Sequence, residues 1–224
     1  MKNEEFSQPG AGAAAALGAC GGQSENPKRR AILDAAGRLF LERGLTATSM
    51  DAIAEAAPVS KPTLYSHFKD KNDLFAAVIN GRCCSLVYSL HEHTSADEDI
   101  ETVLRAIANS FFDVIYSPDS LSLYRIIISE LKQFPQLGEV LYRQGPIKVL
   151  TLLSAYLVQQ NERGCLQIAD PEMAARHFFS MLKGDRHMQC LLGVCEAVTP
   201  EERVRIIDSV VALFIDGYCN CKKS

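Results

Sequence analysis

Apolar residues recur at intervals of three and four positions along most of the chain, which is the spacing of amphipathic α-helices. After residue 97 the alternation of apolar and polar positions that is typical of β-strands does not occur. Pro and Gly interrupt the pattern and mark the expected helix ends. The predicted helices cover about residues 27–43, 48–57, 60–68, 70–91, 97–117, 119–132, 135–163, 170–192 and 199–219. The pattern therefore predicts an all-α protein of about nine helices, with a kink at Gly145–Pro146.

The stretch TATSMDAIAEAAPVSKPTLYSHFKDK, residues 46–71, holds two short predicted helices separated by a tight turn. Thr48 is expected to cap the first helix, and Asp51 to complete a capping box. Pro58 ends that helix because it has no amide hydrogen and because it disfavours the α conformation of the preceding residue, Ala57. A new helix then begins after Ser60, whose side chain serves as the N-cap.

The second of these helices has one apolar and one polar face. Leu64 and Phe68 are four residues apart and are interpreted as core. Short hydrogen-bonding side chains and one lysine occupy the other positions. Pro62 falls in the first turn, where a missing amide hydrogen costs little. Two helices of this kind suit the DNA major groove, although the polar face of a short helix is more often simply solvated.

Residues 30–79 resemble the N-terminal DNA-binding domain of the TetR/AcrR family of transcriptional regulators, most specifically in VSKPTLYSHFKDKNDLF, residues 59–75. The segments DPEMAARHFFSMLKG and VVALFIDGY resemble the ligand-binding and dimerisation domain of one branch of that family. The resemblance implies a three-helix helix-turn-helix domain at the N-terminus, followed by a helical bundle that binds a ligand and forms the dimer. It also implies that the helix at residues 60–68 is the recognition helix.

The matching positions imply eight residues that contact DNA: Thr48, Ser60, Lys61, Pro62, Thr63, Tyr65, His67 and Lys71. The family pattern assigns base edges or nearby phosphates to the side chains of the recognition helix, except that Tyr65 and Lys71 hold the backbone. Thr48 is implied to offer its hydroxyl and amide to a phosphate. This sequence departs from the family at Pro58, where glycine is usual. Glycine can adopt a positive φ and proline is held at about −65°, so we expect the turn to differ locally.

Residues 1–26 are rich in Gly and Ala and are expected to be a disordered tail. The helical pattern and the resemblance together assign residues 27–74 to a helix-turn-helix DNA-binding domain and residues 75–224 to a helical ligand-binding and dimerisation domain. The net charge is −4, but residues 27–80 hold eight Lys or Arg against six Asp or Glu. This basic excess lies on the suspected DNA-binding segment. The cluster at residues 28–30 opposes the dipole of the first helix, and is consistent either with phosphate contact or with an ordinary solvated surface.

The helical domain is expected to hold an effector pocket, for which the candidate residues are mostly aromatic or aliphatic. They are Phe111, Phe112, Tyr116, Tyr124, Ile128, Leu150, Tyr156, His177 and Phe178. No Arg or Lys recurs on the same faces, which favours a small, mainly apolar effector, aromatic molecules included. Each of these residues, taken singly, is more often plain core.

The last two helices carry more apolar surface than one subunit's core requires, which predicts a homodimer. The residues assigned to the dimer interface are Met181, Leu182, Val210, Leu213 and Phe214. Their alternative place is the core of their own subunit.

Other classes of protein receive little support from the sequence. No apolar run reaches the ~18 residues that span a membrane, and the N-terminus has no basic signal-peptide segment. We therefore expect a cytoplasmic protein that has no contact with a membrane. No phosphate loop, nucleophile elbow or zinc-protease motif is present, so we expect neither enzymatic activity, nor a cofactor, nor a metal site.

These features, with the resemblance, predict a ligand-responsive transcriptional regulator, a repressor that an effector releases from an inverted-repeat operator in double-stranded DNA. One alternative is a redox- or metal-responsive regulator that senses through cysteines such as Cys83–Cys84 or Cys219–Cys221, or through His187 with Cys190. Buried reduced thiols are the simpler interpretation, because most of the cysteines lie in apolar helical patterns. A second alternative is a helical enzyme or carrier that has lost DNA binding.

Overall fold

The computed structural model describes residues 26–95 and 98–218, so most of the expected tail and the Cys219–Cys221 pair lie outside the described residues. The regular elements described are all helices. They are α1 (Pro27–Ala47), α2 (Met50–Ala56), α3 (Lys61–His67), α4 (Lys71–Ser95), α5 (Ile100–Ile115), α6 (Pro118–Glu130), α7 (Gln136–Tyr142), α8 (Lys148–Glu162), α9 (Pro171–Leu191) and α10 (Pro200–Tyr218). A π-helical segment, Arg143–Ile147, joins α7 to α8 in one run. When the continuous run from α7 to α8 is counted as one helix, the described residues hold nine helices, and the predicted fold class is confirmed.

The described chain forms two compact units. The first consists of residues 26–85 and 118–146, and the second of residues 86–117 and 147–218. The chain passes from one unit to the other three times, within α4, between α5 and α6, and at the π-helical segment. Pro146 lies in that segment, where its missing amide hydrogen interrupts the α-helical ladder and produces the predicted irregularity.

The first unit is built around the apolar faces of α1 to α4. Its largest fully buried side chains are Ile32, Phe40, Leu45, Ile53, Leu64, Phe68, Leu74, Phe75 and Ile79. The rings of Phe40 and Phe75 meet edge to face with centroids 5.0 Å apart. Such a pair contributes about 1 kcal/mol beyond the burial of its area, and it joins α1 to α4. This core is what positions the short helices α2 and α3.

Helix ends in this unit follow the local sequence. Gly44 has φ 79°, a left-handed conformation that stops the regular part of α1 at the predicted position. Asp70 accepts a hydrogen bond from the Asp73 amide at 2.9 Å, and Asp73 in turn accepts one from the Lys69 amide at 3.0 Å. These two hydrogen bonds start α4 where the sequence predicts it.

The second unit packs α5, α8, α9 and α10 together. Its core contains Phe111 and Phe112 of α5, Leu153 of α8, Phe178 of α9 and Phe214 of α10, all 4% exposed or less. One feature here was not predicted from the sequence: α9 is broken at Gly184, which has φ 52°. Among the described residues no helix is long and apolar enough to cross a membrane.

Candidate nucleic-acid interface

Helix α3 is the centre of the candidate DNA-binding surface. Its first turn is closed by Ser60, whose Oγ accepts a hydrogen bond from the Thr63 amide at 3.3 Å and lies 2.8 Å from the Thr63 Oγ1. Leu64 is fully buried and Phe68 is 2% exposed. One side of α3 is therefore fixed in the core, and the cap and core positions predicted from the sequence are those observed.

The other side of α3 is polar and accessible. It carries Lys61, Pro62, Thr63, Tyr65 and His67, five of the residues that the resemblance implied. Thr63 and His67 are half-buried, and the other three are exposed. The Lys61 ammonium lies 2.7 Å from the Asp51 carboxylate of α2, and this hydrogen bond raises the pKa of Lys61. The lysine is charged, and its ion pair ties α3 to α2.

Thr48 does not occupy the position that the sequence predicted. Its side chain is 1% exposed, and its Oγ1 donates to the carbonyls of Leu39 at 3.2 Å and Gly44 at 2.8 Å. The hydroxyl is thus committed inside the unit and does not face a phosphate. Ser49 is the observed N-cap of α2, with its Oγ accepting an amide hydrogen bond at 3.1 Å. Because Ser49 is exposed, it replaces Thr48 as the candidate hydroxyl donor, and Asp51 takes no part in a capping box with Thr48.

Lys71 is half-buried and holds the segment that comprises the end of α1 and the start of the connection to α2. Its Nζ donates to the carbonyl oxygens of Thr46 at 3.2 Å and Thr48 at 2.9 Å. Glu130, the last residue of α6, holds the same segment by accepting from the Thr46 amide at 3.1 Å and from the Thr46 Oγ1 at 2.7 Å. The segment that leads into the helix-turn-helix is therefore fixed from two helices. An ammonium has three donors, so Lys71 keeps one for a phosphate.

The turn between α2 and α3 differs from the second expectation, which was that Pro58 would change the local geometry. Pro58 has φ 20°, and the amide of Val59 donates to the carbonyl of Ala54 at 3.0 Å. That bond is typical of a helix end at which the residue after the cap has a positive φ. The turn therefore keeps the geometry that glycine adopts easily, although proline prefers a φ of about −65°. The backbone at Pro58 is strained.

A surface cleft of about 410 Å³ lies beside the N-terminal end of α3. It is lined by Pro27, Lys28, Ala31, Ala57, Pro58, Val59, Ser60 and Thr63. Lys28 is exposed and brings a positive charge next to the hydroxyls of Ser60 and Thr63. Arg29 has a different role, because its guanidinium lies over the Phe68 ring, 5.0 Å from the centroid. One hydroxyl hydrogen is used between Ser60 and Thr63, so the two hydroxyls together keep one donor. A cation beside a hydroxyl donor is a combination that binds phosphate oxygens.

Comparisons with known proteins agree with this geometry. The profile of bacterial regulatory proteins of the tetR family matches residues 32–78, which include all of α2 and α3. The profile of the AefR-like transcriptional repressor C-terminal domain matches residues 102–220, more than half of the chain. The chain belongs to the TetR family. It is a transcriptional regulator of the helix-turn-helix type, and the proteins that it matches are DNA-binding regulators.

Individual TetR-family relatives share different parts of this chain. The activator FasR of Mycolicibacterium smegmatis is 40% identical over 88 residues, which are 39% of this chain and 40% of FasR. The crystal structure of a TetR-family regulator from Mesorhizobium loti aligns with a TM-score of 0.76 at 29% identity, covering 86% of this chain and 96% of that one. The flavonoid-responsive regulator FrrA aligns with a TM-score of 0.70 at 32% identity, covering 87% and 98% of the two chains.

The residues predicted to line the effector pocket of this TetR-family chain do not all belong together. Phe111, Phe112, Leu150, Tyr156 and Phe178 are buried in the second unit, with Tyr116 half-buried there. His177 is exposed, and Ile128 is 59% exposed in the first unit. Both are therefore removed from the predicted lining, because their side chains face solvent. Tyr124 is half-buried and belongs to the first unit.

Two tyrosines of the second unit, Tyr116 and Tyr156, differ in the hydrogen bonding of their hydroxyl groups. The Tyr116 hydroxyl donates to the carbonyls of Leu182 at 3.3 Å and Lys183 at 2.7 Å, the two residues before the break at Gly184. The Tyr156 hydroxyl is buried and has no hydrogen-bond partner among the described residues. Burial raises the pKa of Tyr156 to about 12. A buried phenol of this kind is a ready donor for a ligand oxygen.

Most of the predicted dimer residues prove to be core. Leu182, Val210 and Phe214 are 5% exposed or less within one subunit, so the interface assignment is wrong for these three. Met181 is half-buried and Leu213 is 60% exposed. The sequence pattern identified apolar helix positions correctly, but periodicity alone does not distinguish the face that packs inward from the face that meets a partner.

Five cysteines lie in the described residues. Cys83, Cys165, Cys190 and Cys195 are reduced, whereas Cys84 is disulfide-bonded, so reduced thiols were the wrong expectation for Cys84. In the same residues no group of three or more His, Cys, Asp and Glu side chains is arranged to hold a metal ion.

Proposed function

We propose that this protein is a homodimeric, effector-responsive repressor that binds an inverted-repeat operator through α3. The observation that carries the proposal is the packing of α3: Leu64 and Phe68 are buried in the core, while Lys61 and Tyr65 remain accessible. The accessible side chains of α3 contact base edges and determine which operator sequence is bound. Phosphate contacts from Lys28, Ser49 and Lys71 fix the position of the protein on the duplex. Repression is favoured by the match to the AefR-like repressor domain, and activation, as in FasR, is the alternative.

Operator binding is tested by fluorescence polarisation with DNA from upstream of the gene that encodes the protein. Thr63→Ala or His67→Ala should change the preference between operator variants, because each mismatched contact is worth about 1–3 kcal/mol. Lys28→Ala should weaken binding to all DNA sequences alike, and it should lower by about one the slope of the logarithm of affinity against the logarithm of salt concentration. Arg205→Ala, which removes an exposed cation of α10, is the control. If Arg205→Ala lost as much affinity as Lys28→Ala, the loss would come from the change in net charge and not from a specific phosphate contact.

Lys71 is expected to have a second role besides DNA contact, because its ammonium also binds two backbone carbonyls. Lys71→Ala should weaken binding to every operator variant and reduce the salt dependence, as the resemblance implies for a backbone contact. It should also lower the melting temperature, since two hydrogen bonds are lost. Lys28→Ala, at an exposed residue, should leave the melting temperature unchanged. If Lys71→Ala altered sequence preference instead, the division of roles would be wrong.

The sign of regulation is tested in a reporter strain that carries the same upstream DNA. Deletion of the regulator should raise expression if it represses, and adding a matching effector should have the same effect. Lower expression after deletion would identify an activator and contradict this part of the proposal. The cysteine-sensing alternative gains no support from the comparisons, and no described metal-binding group favours it.

The proposed effector is a mainly apolar, aromatic molecule with an oxygen acceptor. Three observations support this class: the buried aromatic side chains of the second unit, the buried phenol of Tyr156, and the similarity to the flavonoid-responsive regulator FrrA. An effector acts only if it binds the DNA-free and DNA-bound conformations with different affinity. We therefore expect a flavonoid to raise the melting temperature and to weaken operator binding together.

Tyr156→Phe separates ligand recognition from folding. Loss of a buried, unsatisfied hydroxyl should leave the free protein as stable or more so, while flavonoid affinity falls by roughly tenfold for one lost hydrogen bond. Tyr116→Phe is the matched control, since it removes a hydroxyl that satisfies two carbonyls and should lower stability. Unchanged flavonoid affinity in Tyr156→Phe would exclude this phenol as the anchor.

A further inference from the structure

Two reduced thiols meet in the second unit, where α9 gives way to α10. Cys190 lies in the last turn of α9 and is fully buried, and Cys195 lies in the connecting segment and is half-buried. Their Sγ atoms are 2.7 Å apart. That separation is within about 0.7 Å of a disulfide bond length. The sequence analysis considered other cysteine pairs, and the spacing CLLGVC matched none of the motifs that it considered.

The backbone between the two cysteines explains the contact. Gly193 has φ 74°, its amide donates to the carbonyl of Cys190 at 3.2 Å, and the amide of Val194 donates to the carbonyl of Gln189 at 2.9 Å. These two bonds with a left-handed glycine form a Schellman motif, the common end of an α-helix. The motif turns the chain back over the last turn of α9. The approach of the two thiols is thus a local consequence of this helix end.

The two thiols differ in environment. Burial raises the pKa of Cys190, and its hydrogen bond with Cys195 raises it further, so this thiol stays protonated near neutral pH. Cys195 is more accessible, and it is the sulfur that a solute reaches first. Arg186, one turn before Cys190 on α9, forms an ion pair with Glu202 of α10 at 2.9 Å. The Cys190–Cys195 pair therefore combines an accessible attacking thiol, Cys195, with a buried resolving thiol, Cys190.

We propose that Cys190 and Cys195 form a dithiol site that a hydroperoxide oxidises to an intramolecular disulfide. In the first step the Cys195 sulfur attacks one peroxide oxygen and the O–O bond breaks. The departing oxygen takes up the thiol proton, which leaves a sulfenic acid on Cys195 and releases water or an alcohol. In the second step the Cys190 sulfur attacks the Cys195 sulfur, the S–O bond breaks, and the hydroxyl leaves with the Cys190 proton as water. Two electrons pass from the two thiols to the peroxide.

The test uses the full-length wild-type protein and hydrogen peroxide. Trypsin cleaves after Arg186 and Arg203, so both cysteines fall in one peptide, residues 187–203. After brief oxidation, alkylation under denaturing conditions and digestion, this peptide should carry no alkyl group and should have lost two hydrogens. Dithiothreitol should restore double alkylation. The disulfide within this peptide forms only because the adjacent thiol resolves the sulfenic acid, so the loss of both alkyl groups and its reversal by dithiothreitol are the measured results.

Two variants test the order of the steps. In Cys190→Ser the sulfenic acid on Cys195 has no resolving thiol, and dimedone should trap it. In Cys195→Ser the buried Cys190 should remain alkylatable after denaturation. Cys165→Ser is the matched control and should leave oxidation of the peptide at residues 187–203 unchanged. The proposal is overturned if this peptide stays doubly alkylated in the wild type while Cys165 is oxidised, or if either sulfur pairs with a different cysteine.

Discussion

Pro58 is the residue at which local preference and fold disagree most. Its φ of 20° lies far from the value of about −65° that the proline ring favours, and a residue held in such a conformation costs about 1–3 kcal/mol. The Val59 amide still donates to Ala54, so the fold of the helix-turn-helix determines the turn. The sequence analysis recognised the unusual proline but predicted that the turn would change around it.

Pro58→Gly should therefore stabilise the protein. Glycine adopts a positive φ without strain, although its freer unfolded chain offsets part of the gain. We expect a net increase of about 1 kcal/mol in the free energy of unfolding, measured by urea denaturation. Pro62→Ala is the control, because Pro62 lies in the first turn of α3 where proline fits. A Pro58→Gly variant no more stable than the wild type would show that the turn is not strained.

His187 predicts how stability depends on pH. It is 6% exposed, and burial, with a smaller effect of the Lys183 charge, lowers its pKa from 6.5 to about 4. The unfolded chain therefore binds a proton more readily than the folded protein, and stability falls as pH decreases below about 6.5, until the folded pKa is passed. From pH 7 to pH 5 the loss should be about 2 kcal/mol.

Urea denaturation at pH 7 and pH 5 measures this loss. His187→Gln removes the titrating group, so the difference between the two pH values should shrink by about 2 kcal/mol. His177→Gln is the matched control, since His177 is exposed on the same helix and should leave the difference unchanged. An equal pH dependence in the wild type and in His187→Gln would contradict the assignment.

Residue types and their spacing were sufficient to predict local structure, but not the partners of individual side chains. Ser60 and Asp70 cap helices as predicted, because capping depends on residues three or four positions away. Thr48 was assigned to the surface, yet its hydroxyl binds carbonyls at the end of α1. That choice depends on how α1 and α2 cross, and no local pattern records it. Ser49, the next residue, carried the better signal for an N-cap, since serine ranks above threonine there.

At the scale of helices, glycine and proline explain both the success and the main omission. Pro146 made the irregular segment between α7 and α8 predictable, because proline has no amide hydrogen to donate to the helical hydrogen bonds. Gly184 was overlooked because a single glycine inside an apolar helical pattern is usually tolerated. The break became evident only with its φ of 52° and with the Tyr116 hydroxyl bound to the carbonyls of the two residues before it.

The tie between α6 and the end of α1 gives a prediction at this scale. Glu130 accepts two hydrogen bonds from Thr46, and a carboxylate acceptor makes them stronger than neutral ones. Glu130→Ala should lower the free energy of unfolding by about 1–2 kcal/mol and weaken operator binding, because Thr46 lies in the segment that leads into α2. Thermal unfolding and fluorescence polarisation measure the two effects.

A double-mutant cycle with Thr46→Ala shows whether the two residues act together. The combined variant should lose less than the sum of the single losses. Glu139→Ala, which removes the same charge from α7 in the same unit, should change stability by no more than about 0.5 kcal/mol. Additive losses in the cycle would mean that Glu130 and Thr46 stabilise the unit independently.

At the scale of the whole molecule, the fold class followed from periodicity, but the surface that meets a second subunit did not. Helical period identifies which residues are apolar, and the number of apolar residues in α9 and α10 exceeded what one core needs. Which of them face outward depends on how α5, α8, α9 and α10 rotate against each other. Val210 and Phe214 therefore went to the core, and Leu213, between them in sequence, remained exposed.

Leu213 is the residue on which the proposed homodimer is best tested. It is 60% exposed on the last helix, and TetR-family membership makes that helix a candidate for subunit contact. Leu213→Glu should leave the subunit folded, because the side chain is not core. In a dimer interface, however, a buried unpaired carboxylate costs about 3 kcal/mol or more, which raises the dissociation constant by roughly a hundredfold or more. Light scattering at micromolar concentration should then give the 24.6 kDa of one subunit instead of twice that mass.

Ile128→Glu provides the matched control for this experiment. Ile128 is 59% exposed, so the change introduces the same charge at an aliphatic residue of almost equal exposure, but in the first unit. It should leave the mass of the dimer and the circular dichroism spectrum unchanged. If Leu213→Glu remained dimeric while Ile128→Glu became monomeric, the interface would involve the first unit and not α10. A wild-type protein that is already monomeric at this concentration would contradict the homodimer itself, and with it the expectation of an inverted-repeat operator read by two copies of α3.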